Sequence, residues 1–157
     1  MGDRLSSRSP GESVTREELT NLLPHRPPFL FVDDVIEIGA DAIQATYRVD
    51  PALPFLAGHF PGMPIMPGVL LCECCLQAGA VLMQCRNAEG RMLNAEPRLP
   101  VVTRILEAKF KRPVRPGEVL TIDVSLEEEL GGASFMTGKV SVGGESALRC
   151  KFAVAEV

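Results

Sequence analysis

The sequence has no excess of positive charge: 20 acidic against 16 basic side chains leave a formal net charge of −4 at pH 7. Phosphate binding needs a basic face, so nucleic acid is excluded as a main partner, although a small basic patch is not. A disulfide framework is missing too. The cysteines number five, an odd count, and Cys72, Cys74, Cys75 and Cys85 crowd into one apolar stretch. No apolar h-region accompanies the N-terminal MGDRLSSRSPGES, so no secretory signal is read there. MGDRLS fits the myristoylation pattern at Gly2 and Ser6, but the pattern is short and no second membrane signal supports it. We therefore expect a reducing cytoplasm and no stable membrane anchoring. Internal repeats are absent. What the chain does have is apolar material, 46% of 157 residues, enough for the core of one domain.

Residues 1–14 are polar and rich in Ser, Arg, Gly and Pro, and read as a disordered tail ahead of a single domain over 15–157. Thr15-Arg16-Glu17-Glu18 has the form of a capping box, followed by a short helix with Leu19, Leu22 and Leu23 on one face and Pro24 as its stop. Strands are expected over 29–38 and 42–49. A long loop over 50–68, dense in Pro and Gly, comes next, and loops of this length in compact domains are usually functional. The stretch VLLCECCLQAGAVLMQC, residues 69–85, is apolar nearly all round and predicts a buried helix. It is short for a membrane span and carries Glu73 and Gln77 in its apolar wall. Residues 86–98 read as a polar loop. Strands follow over 99–110, 118–128, 133–142 and 146–155, divided by Pro116-Gly117, Gly131-Gly132 and Gly143-Gly144. The order implies an α+β domain, a curved antiparallel sheet laid against a central helix.

Chemistry gathers in the loop and the helix after it. A carboxyl group at Glu73, inside a buried helix, is costly unless it is protonated or well partnered. Gln77 lies four residues on, on the same helical face, and can orient it. His59 is held in GHFPG, where prolines and glycines fix a backbone path, and a neutral imidazole is a competent base near pH 7. Gly68 closes the loop just before the helix, where free N–H groups and the positive dipole end suit a developing negative charge. His25 reads as structural, in a Pro-rich turn. Cys72, Cys74 and Cys75 point to different sides of one helix, so they read as core packing and not as a metal site. Lys109, Lys111, Arg112 and Arg115 read mainly as a solvated face, and are the best candidate patch for an acidic partner.

The string GHFPGMPIMPGVLLCECCLQAGAVL, residues 58–82, resembles the signature of bacterial 3-hydroxyacyl-[acyl carrier protein] dehydratases of the FabZ type. Leu22-Leu23-Pro24-His25-Arg26-Pro27-Pro28-Phe29-Leu30 resembles that family's N-terminal motif, and Lys109-Phe110-Lys111-Arg112-Pro113-Val114 its third motif. The resemblance implies the hot-dog fold and a lyase that turns (3R)-hydroxyacyl thioesters into trans-2-enoyl thioesters in fatty acid biosynthesis. It implies His59 as base, Glu73 as acid, the Gly68 amide on the thioester carbonyl, Gln77 behind the carboxylate and Phe60 beside the substrate. No cofactor and no metal are implied. The substrate is carried by acyl carrier protein or coenzyme A, and the site is shared between two subunits of a homodimer or of a hexamer. The rival readings are a thioesterase on the same fold and a non-catalytic acyl-thioester-binding paralogue. Glu73-Cys74-Cys75-Leu76-Gln77 and Arg104-Ile105-Leu106 depart from the family pattern. Arg104 and Leu106 are expected to border an acyl tunnel between helix and sheet.

Overall fold

The computed structural model describes residues 13–90 and 98–157, except for the side chains of residues 89 and 90. Helix α1 (Arg16–Leu22) begins with the expected capping box: the Thr15 hydroxyl accepts from the Glu18 N–H while the Glu18 carboxylate accepts from the Thr15 N–H. Leu19 and Leu22 face the core. Strands β1 (Asp34–Ile38) and β2 (Ala42–Arg48) follow, then the long loop with one 3₁₀ turn at Leu56–Gly58. Helix α2 (Gly68–Gly90) leads to β3 (Pro100–Phe110), β4 (Val119–Leu130), β5 (Ala133–Val142) and β6 (Glu145–Glu156). The six strands form one antiparallel sheet in the order β1-β2-β4-β5-β6-β3. The β4–β5 and β5–β6 connections are the two Gly-Gly pairs, all four glycines at positive φ, as tight hairpin turns of the primed type require.

Helix α2 lies on one face of this sheet and supplies much of the core, from Leu71 through Met83. It is long and apolar enough to cross a membrane, over Gly68–Ala88, but most of that stretch is buried against the protein itself. Close approach of helix and sheet depends on missing side chains. A Cβ on Gly138 of β5 would lie 2.8 Å from the sulfur of Cys75 and 2.9 Å from that of Cys150. Cys74 and Cys75 are fully buried, as expected of core residues. Burial pushes the Cys72 thiol up to about 11 and raises Cys74 further. Cys75 is raised by the hydrogen bond its thiol gives to Cys150 and then by burial. These thiols stay protonated and inert near neutral pH.

Three expectations change, and the place of Arg104 and Leu106 becomes definite. Order reaches further towards the N-terminus than residue 15: Val14 is buried and exchanges backbone hydrogen bonds with Val35, at 3.1 Å each, while residues 1–12 of the expected tail lie outside the described residues. The first strand begins at Asp34 instead of residue 29. Leu30, Phe31 and Val32 are buried, but the Phe31 N–H is given to the Gln77 side chain at 2.8 Å, and not to a neighbouring strand. Helix α2 runs on to Gly90, through part of the segment expected to be loop. Its polar last turns have partners: Arg86 reaches the Ala40 carbonyl, Asp41 and Glu129, and Asn87 reaches Glu156. Finally, Arg104 and Leu106 are exposed on β3, which pairs only with β6 and is an edge of the sheet. Within one chain neither residue is part of the core packed between helix and sheet.

Candidate active site

The long loop is pinned by its own backbone. The His59 N–H bonds to the Leu56 carbonyl at 3.1 Å, the Ile65 N–H to the His59 carbonyl at 2.8 Å, and the Met66 N–H to the Val114 carbonyl at 2.8 Å. The imidazole is oriented as well. His59 Nδ1 lies 2.8 Å from the Ile65 carbonyl oxygen. A carbonyl only accepts, so Nδ1 carries the proton and the Nε2 lone pair is free to act as a base. The exposed ring of Phe60 stacks on this imidazole, centroids 4.4 Å apart.

His59 opens onto a groove of about 570 Å³ whose walls include Met66, Gly68, Val69, Phe110 and Arg112. Gly68 is the first residue of α2, so its N–H has no partner within the helix. The Phe110 ring lies directly against it: a Cβ at this position would sit 2.7 Å from a ring carbon. Any larger residue here would have to push the exposed Phe110 ring aside. The arrangement puts an imidazole and the first N–H of a helix along the same groove.

Glu73 is elsewhere. Five residues beyond Gly68 on a helix of about 100° per residue, it is turned by roughly 140° from it, and it does not border the groove of His59. Its Oε1 accepts from Gln77 Nε2 at 3.1 Å, as the i, i+4 spacing requires. Gln77 is almost fully buried, and its amide is spent on the protein: Oε1 accepts from the Phe31 N–H, and Nε2 also gives to the Phe29 carbonyl at 3.1 Å. It supports Glu73 and has no donor left for a substrate.

Sequence reasoning missed one neighbour. His25, read as structural, has its Nε2 3.5 Å from Glu73 Oε1. The signal was faint, because nothing in a Pro-rich turn says which helix its side chain meets. Of the basic residues read as a solvated face, Arg112 is mostly covered and bound to Glu118 at 2.7 Å and Glu145 at 3.8 Å, while Lys109 pairs with Glu107 at 3.0 Å. Lys111 borders the groove of His59.

So the chain builds two separate clusters, His59 with Gly68 and Glu73 with Gln77, and does not join them. Comparison with known proteins then shows the family. The FabA-like domain family matches residues 23–151. The 3-hydroxyacyl-[acyl-carrier-protein] dehydratase FabZ of Chlamydia trachomatis serovar L2 is 41% identical over 123 residues, covering 76% of this chain and 78% of that protein. The same-named protein of Sodalis glossinidius is 40% identical over 132 residues, covering 83% and 85%. Among solved structures, the dehydratase heterocomplex ApeI:P from Xenorhabdus doucetiae superposes with a TM-score of 0.75 at 20% identity, over 88% of this chain and 90% of that one. A Haemophilus influenzae thioesterase gives 0.64 at 17% identity, over 94% and 93%. At such identities these two speak for the fold alone, which is the hot-dog fold of a long helix wrapped by an antiparallel sheet. The family follows from the sequence matches: the chain belongs to the FabZ-type 3-hydroxyacyl-[acyl-carrier-protein] dehydratases, which are hydro-lyases.

Proposed function

We propose that this protein removes water from (3R)-hydroxyacyl thioesters carried by acyl carrier protein, giving trans-2-enoyl thioesters for fatty acid biosynthesis in the cytoplasm. The single observation that supports this best is the orientation of His59, whose Nδ1 proton is committed to Ile65 and whose Nε2 is left free. In this reading the Gly68 amide binds the thioester carbonyl and stabilises the negative charge that grows there. His59 Nε2 removes the C2 proton, which the thioester has made acidic. Glu73 protonates the C3 hydroxyl as it leaves. No cofactor enters the balance: one proton moves to His59, one comes from Glu73, and water departs.

Both halves of the site are needed at once, so we propose that two copies assemble with His59 of one facing Glu73 of the other. The edge strand β3 supports this. It is eleven residues long, with Val101, Val102, Ile105 and Leu106 all exposed. A long apolar edge is a surface that pairs with another strand. Pairing β3 with a second β3 would continue the sheet across a twofold axis. Whether such dimers gather into hexamers is a matter for sizing in solution.

The test is an assay of the purified protein with 3-hydroxybutyryl and crotonyl thioesters, followed by enoyl absorbance. Reversible interconversion of the two supports the reading. Release of free thiol instead would mark a hydrolase, and binding without turnover a non-catalytic paralogue.

A further inference from the structure

Glu73 is approached by more than the helix it stands on. The segment between α1 and β1 wraps around this part of α2 and touches it three times. The Phe29 carbonyl and the Phe31 N–H hold Gln77, and His25 reaches Glu73 itself. The turn that carries His25 is braced from within: the Arg26 guanidinium gives hydrogen bonds to the carbonyls of Thr20 at 2.8 Å, Leu23 at 2.7 Å and His25 at 2.7 Å. The imidazole packs on Phe29, centroids 6.2 Å apart and planes 25° from parallel. A ring fixed in this way has a definite tautomer. His25 Nδ1 is buried with no hydrogen-bond partner, whereas Nε2 faces the Glu73 carboxyl, 3.5 Å from Oε1. The proton therefore belongs on Nε2.

Both protein donors then meet the same carboxyl oxygen. Gln77 Nε2 and His25 Nε2 converge on Oε1, and among the described residues no donor reaches Oε2. We propose that His25 is a positioning residue that, with Gln77, occupies Glu73 Oε1 and so leaves Oε2 as the oxygen that carries and delivers the proton. An acid whose Oε1 accepts the Gln77 N–H at 3.1 Å and has the His25 Nε2 within 3.5 Å keeps its own proton on Oε2. Without His25 the carboxyl group can turn about its last torsion and present the wrong oxygen, which lowers the rate of proton delivery without weakening substrate binding. The proposal rests on the reading of Glu73 as the proton donor.

Three variants of His25 separate orientation from packing. His25→Gln carries an N–H donor to the Nε2 position. His25→Asn stops short of it, and His25→Phe keeps the ring stacked on Phe29 with no donor. The expected result is a kcat lowered about tenfold in His25→Asn and His25→Phe, with KM within about twofold of the parent, and a kcat restored to within about threefold in His25→Gln. Melting temperatures measured alongside show whether each variant folds. Equal losses in all three, a wild-type kcat in His25→Asn or His25→Phe, or a loss that tracks the melting temperature would mark His25 as packing and overturn the proposal. Glu73→Gln is assayed in parallel. If it keeps wild-type turnover, the assignment of Glu73 has failed. If it is inactive while His25→Asn is not, only the role of His25 has failed.

Discussion

Glu73 and His59, the cores of the two proposed half-sites, have surroundings of opposite construction. Around Glu73 every polar atom of Gln77 is engaged, the supporting residue is almost fully buried, and three elements of the chain meet there: α2, the turn after α1, and the segment leading into β1. Around His59 the ring is fixed by one backbone carbonyl, and the groove it faces is open to solvent. A buried network resists change because each lost partner leaves an unsatisfied group behind. An open groove costs the fold little when a side chain in it is trimmed. The closed half should therefore couple activity to stability, and the open half should not.

The largest effect tests that contrast directly. His59→Ala and Glu73→Gln should each lower turnover by about 10²–10⁴-fold, the range for a lost general base or acid. The melting temperature of His59→Ala should stay near that of the parent, because its ring lies at an open wall. If the halves belong to different subunits, mixing the two inactive variants under subunit exchange should restore activity through hybrid dimers. Exchange verified by mass, with no return of turnover, would break the shared-site reading.

Next comes the strand that would join the halves. Ile105→Lys, on the exposed apolar face of β3, should shift the protein towards a smaller species in sedimentation and lower turnover in step with the fraction dissociated. The secondary structure by circular dichroism should be kept, because the side chain is not part of the core of the single chain. An unchanged mass would mean that β3 is not the assembly edge.

How far these halves were legible in the sequence follows from the same contrast. The capping box, the buried α2, the i, i+4 pair of Glu73 and Gln77 and the glycine hairpins are local patterns, and each was readable from spacing alone. Long-range placement was not. Residues 29–32 have the apolar character of a strand, yet Gln77, over forty positions away, takes the hydrogen bond that a strand neighbour would have taken. His25 looked like part of a turn for the same reason: its partner is on α2. That β3, which carries Arg104 and Leu106, is the edge of the sheet is likewise declared by no local pattern.

Gln77→Leu probes the closed half with a smaller but sharper signature. It keeps the volume and removes the amide, leaving the buried Phe31 N–H without an acceptor and the Phe29 carbonyl without a donor. An unsatisfied buried group costs about 1–3 kcal/mol, and in a chain of this size each kcal/mol lowers the melting temperature by about 2–4 °C. A drop of several degrees, together with a lower kcat, is expected in thermal melts and the enoyl assay. A loss of kcat at unchanged melting temperature would mean that the network serves Glu73 alone and not the fold.

The smallest effect lies on the open side, at Glu118. This carboxylate holds the Arg112 guanidinium at 2.7 Å and accepts from the Arg115 N–H at 2.7 Å, and Arg112 is in turn one wall of the His59 groove. Burial raises the Glu118 pKa, but the Arg115 N–H and the Arg112 guanidinium outweigh it and hold the group below the usual glutamate range. A folded pKa below the unfolded one stabilises the fold above the unfolded value, and that stabilisation is lost as pH falls through the folded value. Glu118→Gln should therefore melt a little earlier than the parent at pH 7, by no more than the about 1 kcal/mol that a partly exposed ion pair contributes. The two melting curves should converge as the pH is lowered through and below the ordinary glutamate range. Turnover at pH 7 should change little, because Arg112 keeps Glu145 as a second partner. A difference in melting temperature that persists undiminished in acid would show that Glu118 acts through packing, and a large loss of turnover would show that the open half depends on its supports as closely as the Glu73 half does.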